Sequence, residues 1–346
     1  MLSLAGCGNI IKSAANSASG RVAGADVVAG AATLKQARRL VVAGFMVDYV
    51  TEFRMAAATD MSAVLFTDAV SNASITTVGV NPASLTGLTN AMYDSFVADG
   101  TAAGYDMVPH AALAALPDYA AFQATGTQSP ATEDGKSGRG VFVSARDLPM
   151  VYLSPQSFGI ESTMFGGGNK DDQDSFLPFT SRFGAQFNTA PLFKAMALAK
   201  SLDATAVMVR VTIAGGAING NKSFWTGGSV STGAGLSFAP YVTGLAFLSS
   251  GGGRARVALG SPVVTADIGE LKDVTSTATG IGSAAANALV ITTRLAAAVV
   301  GGAGASGGTR ERNYEYRIDP ARFEPNVLGG WQQVSRRLLG IAKTAA

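Results

Sequence analysis

Residues 191–213 read PLFKAMALAKSLDATAVMVRVTI, and this stretch decides the fold. Pro191 suits the first turn of a helix, where its missing N–H is no loss, and Thr189 is placed to cap it. Leu192, Met196, Ala199 and Leu202 recur at three- and four-residue spacing and line one helical face. Asp203 breaks that period. Ala206, Met208, Val211 and Ile213 then follow in a run rich in β-branched residues, bounded by Gly215-Gly216. Such a run reads as a strand buried on both faces, or nearly so. Its one charge, Arg210, is expected near an edge or rim. A helix that feeds a buried strand through a tight joint predicts an α/β (α+β) chain, a layered mixed sheet with helices on its faces.

Upstream of this unit, Gly8–Ala32 reads as a small, weakly periodic tether, with a short helix near Leu34–Arg39. Leu40–Tyr49 (LVVAGFMVDY) is a first strand, and residues 51–80 read as a loop or short extra strands. Asn81-Pro82 is a strong helix start, with Leu85, Leu88, Met92 and Phe96 on its apolar face. Gly104 is placed as the C′ glycine. Gly100 costs that helix about 1 kcal/mol relative to Ala, with no local reason in the sequence. Tyr105–Val108 is a short strand, and Pro109 opens a short helix through Leu116. Residues 124–190 form a long insertion, with strand candidates at Val141–Ser144 and Met150–Leu153; a loop of that length is expected to hold a local hairpin or to order against a partner. Downstream, Tyr241–Leu248 and Arg254–Val264 pair around the Ser249–Gly253 turn. Asn313–Ile318 is a strand, and Pro320 opens a terminal helix with Val327, Leu328, Trp331, Val334, Leu338 and Leu339 at apolar positions. The expected organisation is 1–39 tether and 40–346 one α/β domain, with insertion 124–190 and glycine-rich hairpin insertions 215–248 and 275–309.

Composition narrows the function classes. Of the 346 residues, 42 are glycine and only 14% are charged, well below the usual quarter. That profile suits exported, envelope or β-rich surface proteins better than a cytosolic enzyme. A net charge of +2 is too small to suggest nucleic acid as a partner. The single histidine, His110, has no partner in the sequence to make it a general base. One Cys and one His cannot form a zinc site. Asp171, Asp172 and Asp174 lack calcium-loop spacing. Gly302, Gly304 and Gly307 match the dinucleotide pattern, but polar Thr309–Arg312 follows where a helix is needed. The arginines of 310–322 suit a solvated or partner-facing surface. No catalytic constellation, cofactor or metal is expected. No stretch is long and apolar enough for a membrane helix.

The least ordinary pattern is Ser229–Phe238. Val230, Ala234, Leu236 and Phe238, with Thr232, alternate with Ser229, Ser231, Gly233, Gly235 and Ser237. Trp225 lies at the entrance and Tyr241 at the exit. One reading is a ribbon in a soluble antiparallel domain, one face packed and one wet. The other is a membrane-spanning hairpin, with Val230, Ala234, Leu236 and Phe238 facing lipid and Trp225 and Tyr241 as interfacial aromatics. One hairpin cannot close a barrel, so the second reading requires an oligomeric barrel built from many copies.

Leu4-Ala5-Gly6-Cys7 resembles the lipobox of bacterial lipoproteins, in which the cysteine carries the lipid anchor. Only six residues precede Cys7 and none is basic, fewer than a signal peptide needs; either the start is truncated or misassigned, or the match is chance. In the order of Cys7, Leu40–Tyr49, Pro82–Val108, Pro191–Ile213, the alternating region Gly215–Leu248 and the terminal helix, the chain resembles the curli secretion-channel lipoprotein family. The likeness lies in order and pattern over about two thirds of the sequence. It implies a non-enzymatic periplasmic domain tethered through lipidated Cys7 to the bacterial outer membrane, partnered by copies of itself in a secretion or assembly ring and by an unknown exported protein or envelope partner. The extra insertion at 124–190 and the poor alternation of 275–309 depart from that pattern. The core also resembles the lipoprotein activators of penicillin-binding proteins, which implies instead a soluble periplasmic scaffold or regulator without its own pore.

Overall fold

The structure is a computed structural model that describes residues 26–58, 70–135, 138–150, 190–223, 227–239, 242–265, 268–275 and 310–346. Of the stretch 1–39 expected as a tether, residues 1–25, including Cys7, lie outside the described residues, while Val27–Ala29 pairs with the sheet and Ala31–Gln36 is helical. The chain opens with β1 (Val27–Ala29), α1 (Ala31–Gln36), β2 (Arg39–Ala58) and β3 (Val70–Val78). Then come α2 (Pro82–Ala102), β4 (Asp106–Met107), α3 (His110–Ala114), α4 (Tyr119–Gln123), β5 (Ala131–Gly135) and β6 (Gly138–Ser144). The second half holds α5 (Ala190–Ser201), β7 (Thr205–Ser223), β8 (Gly227–Phe238), β9 (Gly244–Leu248), β10 (Arg254–Ala258), β11 (Val263–Val264), β12 (Gly269–Asp273), β13 (Arg310–Ile318) and α6 (Pro320–Thr344).

The decisive stretch folds as its spacing predicts. Helix α5 leads into β7 through Asp203, whose φ of 49° closes the tight joint; Asp is among the few residues that enter the left-handed region readily. Ala206, Val207, Val209, Val211 and Ile213 are buried. Arg210 departs from expectation. It lies on a central strand, between Met46 of β2 and Gly244 of β9, rather than at an edge. It shares its face with Asp48, whose carboxyl it attracts.

Among the described residues, one mixed sheet of 13 strands carries the fold, with the main path β1-β10-β9-β7-β2-β3-β13-β12. Its centre is the parallel pair β2–β7, in register from Leu40↔Thr205 to Val50↔Ala214. The expected mixed α/β architecture is therefore present. Among the described residues the sheet is not closed into a barrel.

Helices α2 and α6 pack on each other and on one face of this centre. Asn81 Oδ1 accepts from Ala83 N at 3.0 Å, and Asp319 Oδ1 from Ala321 N at 3.0 Å, so each helix has a side-chain cap ahead of its N1 proline. Trp331 is fully buried and stands edge-on to Phe45 at 5.7 Å. Its indole N–H donates to the Met92 carbonyl at 2.8 Å, so the polar end of the ring is satisfied inside the core. Asp99 on α2 accepts from Ser335 Oγ and, at 2.8 Å, from Arg336 Nε of α6.

The structure supplies the missing reason for Gly100: a Cβ there would lie 2.6 Å from the Met107 sulfur. Glycine lets β4 close against the helix.

Two sequence boundaries need correction. Strand β2 continues nine residues past Tyr49, and residues 70–78, expected as part of a loop or short extra strand, form all of β3. Beyond Thr51, polar and apolar residues alternate (Glu52, Phe53, Arg54, Met55), which a search for continuous apolar runs passes over. The hairpin expected within 124–190 is β5–β6, in register from Ala131↔Phe142 to Gly135↔Gly138. Residues 151–189, including Asp171, Asp172 and Asp174, lie outside the described residues.

Candidate functional site

The sheet forks. As far as Val50 and Ala214, β2 and β7 are hydrogen-bonded neighbours. Past that point β2 pairs with β3, from Glu52↔Thr76 to Ala58↔Val70, while β7 pairs with β8, from Ile213↔Phe238 to Ser223↔Gly227. Strand β3 passes the first limb on to β13 in parallel, and β13 to β12 in antiparallel register. A bulge in β2 between Val50 and Glu52 marks the parting; such bulges bend a strand and increase its twist. The limbs lie face to face near their root. A Cβ on Gly215 of β7 would be 2.7 Å from Thr77 Oγ1 and 3.0 Å from the Tyr316 ring. Glycine is required there by proximity.

Strand directions place four connections at one end of the molecule. Strands β2, β5, β7 and β12 run toward that end, and β3, β6, β8 and β13 return from it. The loops between them, 59–69, 136–137, 224–226 and 276–309, lie outside the described residues. Past Ala214 the β7–β8 ribbon runs for about nine residues per strand, roughly 30 Å at about 3.3 Å per residue. The flanks of 276–309 are also drawn together: Val274 N donates to Asn313 O at 2.8 Å, and Asn313 N to Thr275 Oγ1 at 3.0 Å.

The alternating run does not form one continuous face. Its register shifts between Gly215↔Leu236 and Ala217↔Gly233, leaving one extra residue in β8, and Gly235 takes a φ of 124°. Position 236 pairs with 215 and position 230 with 220. Those β7 positions are five apart, so they belong to opposite faces.

Leu236 and Phe238, expected as bilayer-facing residues, lie inside the described fold. Leu236 is 1% exposed, and Phe238 is wholly buried. The Phe238 ring lies against α6, where a Cβ on Gly330 would meet it at 2.5 Å. These two residues join the ribbon to the protein's own core. Val230 and Ala234 lie in β8, on the stretch beyond the bulge or within it. Trp225 and Tyr241 fall outside the described residues.

Register groups the outer ribbon into two sets of positions. Ala217/Gly233, Asn219/Ser231, Asn221/Ser229 and Ser223/Gly227 share one face; Ile218/Thr232, Gly220/Val230 and Lys222/Gly228 share the other. The first set is small and polar, and the second contains the ribbon's branched apolar positions. The β2–β3 limb has the same division, with Phe53/Ile75 and Met55/Ala73 opposite Arg54/Ser74 and Ala56/Asn72. The sequence left that limb open as a loop or short extra strands. Its signal was the short alternation at 52–55.

Besides the Asp99–Ser335 contact, further polar groups lie within the described fold. Asp48 sits on β2 at the root of the fork, 2% exposed. Burial pushes its carboxyl up to about 7, against the attraction of Arg210 and a hydrogen bond from Thr212. Thr212 Oγ1 donates to Asp48 Oδ2 at 3.4 Å, and Oδ1 has no hydrogen-bond partner.

His110 begins α3 and stands edge-on to Tyr93 and Tyr119, with centroids at 6.4 and 5.9 Å. Burial lowers its pKa, opposed by the charge of Asp147. The Tyr93 and Tyr119 hydroxyls are each pushed up to about 12, mainly by burial. His110 Nδ1 is buried without a hydrogen-bond partner. Nearby, Arg146 donates to both oxygens of Asp94 at 2.7 and 2.6 Å.

Among the described residues no cluster of three or more His, Cys, Asp or Glu could hold a metal ion, and no helix is long and apolar enough to cross a membrane. The chain matches no family model, no curated protein and no solved structure.

Proposed function

We propose that this chain is a subunit of a homo-oligomeric secretion or assembly ring in the bacterial outer membrane, held there as a lipoprotein through Cys7 and acting without enzymatic chemistry. The observation that carries this reading is the set of four hairpins that leave one end of an open sheet. Ribbons aligned at one end can add to those of neighbouring copies, and only closure of that kind removes strand edges from lipid. The outer β7–β8 ribbon, at roughly 30 Å, is long enough for the apolar band of about 25 Å that such barrels present. In this reading the lipid-side positions are 218, 230 and 232, not 236 and 238.

A second reading is favoured by one specific observation. Leu236 and Phe238 pack into the core, as they would in a soluble periplasmic scaffold or regulator lipoprotein whose ribbon stays on its own surface. The two readings separate in a single experiment. Val230→Arg places a charge on the outer ribbon, where mid-bilayer burial would cost about 2–4 kcal/mol per copy. The ring reading expects loss of membrane assembly with the monomer still folded; unchanged assembly favours the scaffold. Leu236→Arg does not separate them, because it places a charge in the core. Palmitate labelling of the wild type, absent in Cys7→Ala, tests the anchor; equal labelling of both removes it.

A further inference from the structure

A buried carboxyl stands where the two limbs of the sheet part. Asp48 is the β2 partner of Thr212 on β7 and of Phe142 on β6. Two positions further, Val50↔Ala214 ends the β2–β7 ladder. Thr212 is also fixed to the far end of β8: its carbonyl accepts from Ala239 N at 2.9 Å, and its N–H donates to Thr243 Oγ1 at 3.2 Å. Asp48 therefore touches the residue that holds the foot of the ribbon in place.

The surroundings are unequal to a full charge. One long hydrogen bond reaches Oδ2, and Oδ1 has none. Among the described residues Arg210 on β7 is the charged group that acts on Asp48. Strand β6 contributes Phe142, which is fully buried, and β2 contributes Met46 on the same face. An ionised carboxylate with an unbonded oxygen in such a place is costly, whereas a neutral carboxyl needs far less solvation.

We propose that Asp48 is a proton-dependent latch at the fork: neutral, its carboxyl stays packed where β2 and β7 part, and ionised, the unmet solvation of its buried charge loosens the root of the β7–β8 ribbon. Burial outweighs the pull of Arg210 and brings the proton's departure to about pH 7. The latch follows from the fork itself and holds whether the ribbon enters a membrane or lies on the protein surface.

Amide hydrogen exchange of the full chain at residues 213–215 and 236–239, normalised for intrinsic rates, tests it between pH 5.5 and 8.5. Wild-type protection is expected to fall by on the order of tenfold or more between pH 5.5 and about 7 and to level off above, since one proton linked to opening changes its equilibrium by up to about tenfold per pH unit below the folded-state midpoint. Asp48→Asn, which cannot ionise, is expected to be flat. A flat wild type, or an Asp48→Asn variant with the wild-type slope, overturns the latch. Should the variant fail to fold, carbon NMR of the wild type labelled at its aspartate carboxyls decides. A buried resonance with a midpoint between about 6 and 8 supports the latch, and none titrating in that window overturns it.

Discussion

The two ends of the β2–β7 pair are built from the same strands and obey different rules. Below the fork, residues 39–50 and 205–214 lie in the middle of the sheet under helices. Leu40, Val41, Val42, Phe45 and Val47 of β2 are all buried, as are Ala206, Val207, Val209 and Val211 of β7. Above the fork the same two strands become arms of separate ribbons, where β7 carries glycine, asparagine and serine and β2 carries Thr51, Glu52, Arg54 and alanines in place of the valines and leucines below. The difference teaches that one strand can be scaffold for half its length and display surface for the other half. The change occurs at bulges and close glycines rather than at a loop.

That contrast can be broken from the core side most severely. Trp331→Ala removes the ring that meets Phe45 and Phe96, together with its bond to the Met92 carbonyl. A loss of about 3–5 kcal/mol in chemical denaturation is expected. An effect under 1 kcal/mol would mean that α6 is not part of the cooperative core.

The next largest effect is at the fork and depends on pH. The folded-state pKa of Asp48 is raised above its unfolded value. The folded chain therefore holds this proton more tightly than the unfolded chain does. Its contribution to stability is complete below about pH 4 and is lost as pH rises through about 7. Asp48→Asn is then expected to be more stable than wild type by on the order of 2–4 kcal/mol at pH 8, and about equal to it at pH 4. The opposite ordering at pH 8 would mean that the ionised carboxylate is well paired.

Gly215→Val asks whether the limbs need their close approach. The added side chain must displace Thr77 and the Tyr316 ring, and a loss of about 1–3 kcal/mol is expected. No loss would show that the limbs separate freely. The smallest expected change is Asn81→Ala, which removes the cap of α2 and should cost about 1 kcal/mol by thermal or chemical unfolding.

Much of the scaffold was legible in the sequence because burial on both faces writes a continuous apolar run, and helix ends write caps and prolines. Pro191–Ile213, Leu40–Tyr49, Asn81-Pro82 and Pro320 all carried such marks. The upper half of β2 and the whole of β3 did not, because the continuous apolar run ends at Val50 and the alternation at 52–55 is too short to stand out among Ala and Thr. The site was less legible than the scaffold. Val230 to Phe238 looked like one face because a bulge leaves no mark in period-two counting, apart from a glycine in a stretch already full of glycines. Leu236 and Phe238 stood out as apolar for the ordinary reason that they enter the core. Asp48 was hidden within an apolar run and became visible only once Thr212 and Arg210 were placed beside it.

The ring itself is tested most directly by the mass of the purified full chain in mild detergent, measured by light scattering with the detergent contribution subtracted. A single large assembly of many 35.0 kDa copies is expected, lost in Val230→Arg while the monomer stays folded. A wild-type monomer or dimer under the same conditions would contradict the ring and leave the ribbon as the surface of a soluble scaffold.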